Sequence, residues 1–255
     1  MKDSKAKTIR KDFGHSPRNE SQNARDDKKR GKKGLNATKD KRGPSRKISL
    51  RTPDDILKRD LETLKQEAFE MGASMVEIIP AEWVEIDERV RLKCSVPLCP
   101  YYDKNPYCPP QGPSTDHMRK AVSRYTWALL FALDVIPPEE FADRSIEREA
   151  VIKWGKKCLE ITSRIEALAF SRGYYLAMGF GQASCLKVLC GQDRCLVLGG
   201  GKCPYPLQSR PSMESSGIDV FRLVTKVGWE IYPIYRSVDP KAVPRALSVG
   251  IVFIY

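Results

Sequence analysis

Histidine is nearly absent from this sequence. The 255-residue chain contains two, His15 and His117, and only His117 lies outside the strongly basic N-terminal segment. A serine–histidine–aspartate triad is therefore disfavoured. The C-x2-C spacing that is typical of structural zinc sites is also missing, although the chain has eight cysteines. Its glycine clusters match neither a G-x-G-x-x-G turn nor a P-loop, so we expect them to shape loops and not to bind phosphate.

Long apolar runs are lacking as well. The longest, around residues 127–135, is about half of the roughly 18 residues that a membrane-spanning helix needs. No secretory hydrophobic region follows Met1, and acidic residues interrupt the Lys-rich start, unlike in a transit peptide. We therefore expect a soluble, cytoplasmic protein without a membrane partner. Thiols stay reduced in that compartment, so repeated cysteine spacings indicate metal ligands or catalytic groups before disulfides.

The positive charge is confined to one end of the chain. Residues 1–52 contain 18 Lys or Arg and 6 Asp or Glu, which accounts for the whole formal charge of +12. This segment has no apolar periodicity, so we predict a disordered basic tail over residues 1–52 and a folded domain over residues 53–255. Such a tail can bind nucleic acid or an acidic partner by counterion release, but Phe13 is its only aromatic residue for base stacking. A solvated extension is the favoured interpretation.

Hydrophobic periodicity in the rest of the chain predicts helices alternating with strands. Helices are predicted over residues 53–72, 114–122, 144–172 and 212–226. Strands are predicted over residues 75–79, 125–135, 174–180, 230–235 and 248–255, with an extended segment over 84–92. This order favours an α/β or α+β fold, a single layered domain around one mixed sheet that carries two cysteine-rich metal-binding loops.

Seven of the eight cysteines fall into two loops rich in Gly and Pro. The first loop reads Cys94-x4-Cys99-x8-Cys108, and the second reads Cys185-x4-Cys190-x4-Cys195-x7-Cys203. Tight turns let several thiolates converge on one point. A four-residue gap and a proline after cysteine both occur in ferredoxin motifs, and here a proline follows three of these cysteines. We therefore predict one or two iron–sulfur clusters, of the 4Fe-4S type, with zinc as the alternative.

Four cysteines can saturate a cluster, whereas three cannot. The first group therefore needs a fourth ligand from another residue, for which Asp103 and His117 are candidates. Otherwise it leaves one iron with an open coordination position, which can act as a Lewis acid or bind a substrate. Arg210 follows the second group and precedes a predicted helix, so it can face an anionic cofactor, and a solvated Arg beside a capped helix is an equal alternative. Cys158 lies on the apolar stripe of the longest helix and is predicted to be a core residue.

These motifs, taken together, resemble the family of predicted metal-binding proteins of unknown function, which is mainly prokaryotic. The resemblance covers about residues 55–255 and includes the two cysteine loops, with Cys108-Pro109-Pro110, Gly173-Tyr174-Tyr175, Arg210-Pro211-Ser212-Met213-Glu214 and Gly217-Ile218-Asp219-Val220. It implies metal binding by the matched cysteines, and it implies no substrate. The basic tail lies outside the matching region.

Three functions are consistent with these patterns. The first is an iron–sulfur protein that transfers electrons to a redox partner or supports a partner enzyme. The second is an enzyme that uses an open iron at the three-cysteine site. The third is a zinc-stabilised interaction module, without catalysis, whose basic tail binds nucleic acid.

Overall fold

A computed structural model of the chain describes residues 45–143, 145–234 and 238–255. These residues belong to one compact unit. Its helices are α1 (Asp54–Glu70), α2 (Glu88–Leu92), α3 (Thr115–Val122), α4 (Glu147–Ser171) and α5 (Val220–Lys226). Its strands are β1 (Met75–Pro80), β2 (Trp127–Asp134), β3 (Met178–Phe180) and β4 (Leu247–Phe253). The predicted disordered tail lies, as far as residue 44, outside the described residues.

The four strands form one sheet in the order β1-β2-β4-β3, and each neighbouring pair is antiparallel. The central strands β2 and β4 are buried along almost their whole length. The prediction of a layered domain with helices and one sheet is confirmed, and its class is α+β. The sheet is not mixed, however, because every hydrogen-bonded pair of strands is antiparallel. Strands β2 and β3 run in the same direction, but β4 lies between them. Helices that alternate with strands in the sequence do not fix strand direction by themselves.

Two long helices, α1 and α4, cover one face of the sheet. Their apolar stripes pack on Leu129 and Phe131 of β2 and on Val252 of β4. Cys158 is fully buried in this layer, and its Sγ lies 3.5 Å from the carbonyl oxygen of Val249, to which it donates. This burial in the apolar core agrees with the role predicted for Cys158.

The opposite face is covered by α3, α5 and irregular segments. Met213, Ile218 and Leu223 are buried there against side chains from β2 and β4. The N-terminus of α3 is capped as predicted, because the Ser114 hydroxyl accepts a hydrogen bond from the His117 backbone amide. This face of the sheet also forms part of the cavity beside the first cysteine loop.

Several predicted elements differ in extent from the observed ones. The segment predicted as extended over 84–92 contains α2, because the Asp87 carboxylate caps a short helix by accepting from the Arg89 amide. The strand predicted over 174–180 is limited to β3, and the helix predicted from Ser212 begins only at Val220. Residues 230–234, predicted as a strand, form none in the described part of the chain. These elements lie at edges of the sheet or in loops, where periodicity is weak.

Contacts with the folded unit begin before the predicted boundary at residue 53. The guanidinium of Arg46 forms a bidentate ion pair with the buried carboxylate of Asp60 on α1, and the Arg46 backbone amide donates to the Ser171 carbonyl oxygen at 2.8 Å. Tyr174 donates its hydroxyl to the same carboxylate at 2.7 Å. No helix in the described ranges is long and apolar enough to cross a membrane.

Candidate metal centre

The first cysteine loop begins directly after α2. The backbone amide of Cys94 donates to the Arg91 carbonyl oxygen at 3.0 Å, and the amide of Cys99 donates to the Cys94 carbonyl oxygen at 2.9 Å. The Arg91 guanidinium then donates to the carbonyl oxygens of Pro113 and Gly112 at the far end of the loop. One cationic side chain therefore ties both ends of the loop together.

The turn that presents Cys108 is built around Asn105, which is completely buried. Its Oδ1 accepts from the backbone amides of Tyr107 at 2.9 Å and Cys108 at 3.0 Å. Its Nδ2 donates to the Ser184 hydroxyl at 3.1 Å, in the second cysteine loop. A buried side-chain amide needs such partners for its donors and acceptors. Asn105 thus orients Cys108 and connects the two loops.

The second cysteine loop starts at the end of β3 and continues into a π-helix, Leu186–Cys190. This π-helix lies against α4 at Gly155, where an added Cβ would come within 2.8 Å of Val188. Cys185 is buried at the start of the π-helix, beside Val188 and Leu159 of α4. The close approach of two helical segments at a glycine therefore fixes the position of Cys185.

The two cysteine loops are in direct contact. The backbone amide of Cys195 donates to the Lys104 carbonyl oxygen at 2.8 Å, and the Ser209 hydroxyl donates to the Tyr107 hydroxyl at 3.3 Å. The Sγ of Cys108 lies 3.8 Å from the Ser184 hydroxyl oxygen. Residues about 80 to 100 positions apart in the sequence are thereby joined into one cysteine-rich region.

The thiols of this region influence one another electrostatically. Burial, together with the nearby thiols of Cys99 and Cys108, raises the pKa of Cys94 to about 11. Burial raises the pKa of Cys185 to about 12, and the thiols of Cys190, Cys108 and Cys195 contribute to this rise. Since Cys108 affects thiols of both loops, the groups of three and of four are neighbours.

All eight cysteines are free thiols, and thiolates are the form in which cysteine binds a metal. Within the described ranges, however, no three His, Cys, Asp or Glu side chains are arranged so that they could hold a metal ion. The structure therefore gathers the seven predicted ligands into one region without bringing three of them to a common point. Metal binding is expected to be coupled to folding of the loops, because the unfolded chain holds no preformed site.

The other predicted site residues have different surroundings. Asp103 lies inside the first loop, where it accepts from Gln111 Nε2 at 2.8 Å, while His117 is exposed on α3. For Arg210 the sequence leaves two predictions open, contact with an anionic cofactor or a solvated side chain beside a capped helix. Its guanidinium forms a bidentate ion pair with Glu166 of α4, at 2.6 and 2.8 Å, and donates to the Ser209 carbonyl oxygen. Contact of Arg210 with a cofactor stays a prediction.

Cys94 and Cys99 line a cavity of about 760 Å³. Gln182 and Glu214 line the same cavity, and neither is a predicted site residue. Burial by the surrounding protein raises the pKa of the Glu214 carboxyl, although its side chain is accessible from the cavity. Glu214 lies within the conspicuous Arg210–Glu214 motif, and that motif was the only sequence signal that could have identified it.

The donor chemistry of this region fits a soft metal. Seven thiols lie in this region, and burial raises the pKa of four of them, Cys94, Cys108, Cys185 and Cys190. A bound cation would offset this effect, because it stabilises thiolates. The fold and these loops define a cysteine-rich α+β domain with a thiol-lined candidate metal centre.

Comparison with known sequences agrees with this class. The family described as "Predicted metal-binding protein (DUF2284)" matches residues 77–253, more than two thirds of the chain, so the chain belongs to this family. The match includes all eight cysteines and leaves out the basic tail. The searches of curated proteins and of solved structures gave no match.

Proposed function

We propose that this metal-binding protein holds one or two iron–sulfur clusters, of the 4Fe-4S type, through the seven thiols of its cysteine loops. The observation that supports the proposal is the contact between a Pro-rich loop and a Gly-rich loop that together carry seven free thiols. Thiolates are the usual ligands of such clusters, and neither loop contains histidine. Zinc held by the same thiols is the alternative.

Such a cluster would supply one-electron chemistry. The chain itself would contribute the thiol ligands and the residues that position them. Asn105 and Arg91 would hold the first cysteine loop, and Gly155 would allow the second cysteine loop to pack on α4. Backbone amides of glycine-rich turns can donate to cluster sulfur and tune its potential. We assign Cys185, Cys190, Cys195 and Cys203 to one cluster and Cys94, Cys99 and Cys108 to most of another.

Exchange of electrons with a partner protein is the function that this arrangement supports best. Cys190, Cys195 and Cys203 are all partly exposed, so a cluster held there would lie near the molecular surface. Exposed apolar side chains, among them Leu98, Leu196 and Leu207, surround the loops. Such a surface suits docking of a redox partner or of a partner enzyme that the cluster supports.

One observation favours a catalytic alternative. The cavity of about 760 Å³ reaches Cys94 and Cys99, which belong to the group with too few thiols to saturate a cluster. An open iron at this position would face the cavity and be accessible to a small molecule. A zinc-stabilised module with a nucleic-acid-binding tail is the third candidate, and it needs no cavity.

Metal and acid-labile sulfide analysis of anaerobically purified protein tests the proposal. Iron and sulfide in nearly equal amounts, with brown colour, are the expected result. Stoichiometric zinc without sulfide in fresh protein would contradict it. Serine variants of Cys190 and Cys195, which are partly exposed, should each lower iron content and stability together, because ligand binding is coupled to loop folding.

A further inference from the structure

The cavity beside Cys94 and Cys99 has the size and walls of a small-molecule site. Ligand pockets typically have volumes of about 300–1,000 Å³ and mainly apolar walls. Here the volume is about 760 Å³, and the lining includes Leu247 and Val249 of β4 together with Ile218, which lies just before α5. Several further apolar side chains complete the walls: Val90, Phe141, Val220, Phe221, Ile231, Tyr232 and Ile234.

The charged side chains of the cavity are mostly occupied by protein partners. Asp87 and Arg89 form an ion pair with each other at 2.5 Å, and the Asp219 carboxylate accepts from the Arg222 amide at 3.0 Å at the start of α5. Lys93, in contrast, forms no ion pair with any residue that the structure describes, and it lies one residue before Cys94. It therefore offers a positive charge to a ligand.

Two polar side chains lie in the same cavity. The Oε1 of Gln182 accepts from the Ser248 hydroxyl at 2.5 Å, which orients the amide and leaves its Nε2 as a donor for a ligand. Glu214 presents a carboxyl group to the cavity. Few polar groups at fixed positions in an otherwise apolar pocket are the usual basis of ligand orientation.

We propose that this cavity binds a small organic acid, whose apolar body packs on Ile218, Leu247 and Val249 and whose carboxylate is held by Lys93 beside the thiols of Cys94 and Cys99. The inference rests on the proposed function in one respect, namely that these two thiols are metal ligands, so that the bound acid lies next to the metal. The apolar walls select the body of the ligand, and the Lys93 ammonium, which has no ion-pair partner among the described residues, selects its charge.

Calorimetric titration of the metal-loaded protein with phenylbutyrate and with its neutral counterpart phenylbutyramide tests this inference. We expect the acid to bind about fivefold more tightly than the amide, since one partly solvated charge pair contributes about 1 kcal/mol. Lys93→Gln should remove this preference and leave binding of the amide unchanged. Lys120→Gln, an exposed lysine on α3 outside the cavity, should preserve the preference.

Filling the cavity gives an independent test. Val90→Trp, at a partly exposed position of α2, should weaken both ligands at least about tenfold, and Ile231→Trp serves the same purpose if the first variant does not fold. Equal binding to the wild type and to a folded cavity-filling variant overturns the proposal, as does an absence of binding to metal-loaded wild type. Metal content is measured on each sample, so that the organic-acid site and the metal-ligand role of Cys94 and Cys99 are tested separately. Binding of the acid by protein without bound metal would refute only the statement that the acid lies next to a metal.

Discussion

At the scale of single residues, the eight cysteines divide by environment into two kinds. Cys158 is enclosed by the apolar layer between α4 and the sheet, and burial raises the pKa of its thiol to about 11. The seven others lie in loops that meet at Cys108 and Cys185. Burial in an apolar layer makes a thiol inert, whereas neighbouring thiols in a loop can share a metal.

Cys158→Ser and Cys99→Ser should separate these two roles. The hydroxyl that Cys158→Ser introduces can still donate to the Val249 carbonyl oxygen, so we expect a loss of about 1–3 kcal/mol in stability and unchanged metal content. Cys99→Ser is expected to lower metal content, since it removes a thiolate donor. Metal analysis and urea unfolding of both variants measure these effects, and loss of metal from the Cys158 variant would show that this thiol is a ligand.

Asn105→Ala should weaken both the first loop and metal binding. It removes the acceptor of two backbone amides and the donor to Ser184, and leaving buried groups without partners costs about 1–3 kcal/mol. Gln111→Ala, which removes one exposed hydrogen bond in the same loop, is the control and should change stability by less than about 0.5 kcal/mol. Equal metal affinity of the two variants would contradict a positioning role for Asn105.

At the scale of elements, the contact of α4 with the π-helix determines where the second cysteine loop lies. Gly155→Val should destabilise the protein by about 1–3 kcal/mol, because its side chain would overlap Val188, although glycine is normally unfavourable inside a helix. The exposed neighbour Lys156→Val is the control for helix propensity. Thermal unfolding and metal content test this prediction, and a stabilised Gly155 variant would show that the π-helix can shift without cost.

The polar cluster at α1 predicts a pH dependence of stability. Burial of the Asp60 carboxylate opposes its ionisation. Hydrogen bonds from Arg46 and Tyr174 outweigh this effect, together with the positive charges of Arg46 and Arg172. The pKa of Asp60 therefore lies below the ordinary value of 3.8. The stability that the ionised carboxylate contributes is therefore complete above that value and is lost as the pH falls through the lower, folded-state pKa. Unfolding experiments should show that Arg46→Met lowers stability at neutral pH and reduces this acid-induced loss. Identical pH profiles for variant and wild type would refute this assignment.

At the scale of the whole molecule, the N-terminal boundary can be located by two truncations. Deletion of residues 1–44 should leave stability and metal content unchanged, since every cysteine and every described contact lies beyond it. Deletion of residues 1–50 also removes Arg46 and should cost about 1–3 kcal/mol, because the Asp60 carboxylate loses its bidentate partner. Equal stability of the two truncations would support the predicted boundary at residue 53.

The basic tail itself is tested by its salt dependence. If it binds nucleic acid, affinity of the full chain for RNA or DNA should fall steeply with salt and disappear on deletion of residues 1–44. Binding that survives the deletion would assign the interaction to the folded domain.

The sequence alone determined the features that depend on local pattern. Periods of 3.6 and 2 residues and capping residues indicated α1, α3, α4 and the buried strands β2 and β4, and cysteine spacing indicated a metal-binding family. Tertiary structure decided which distant residues meet, because such contacts depend on how elements pack and not on their own periodicity. Only the fold reveals that Cys108 lies beside Cys185 and that Glu166 pairs with Arg210. It also reveals that Asn105 joins the two loops and that Cys94 and Cys99 face a cavity.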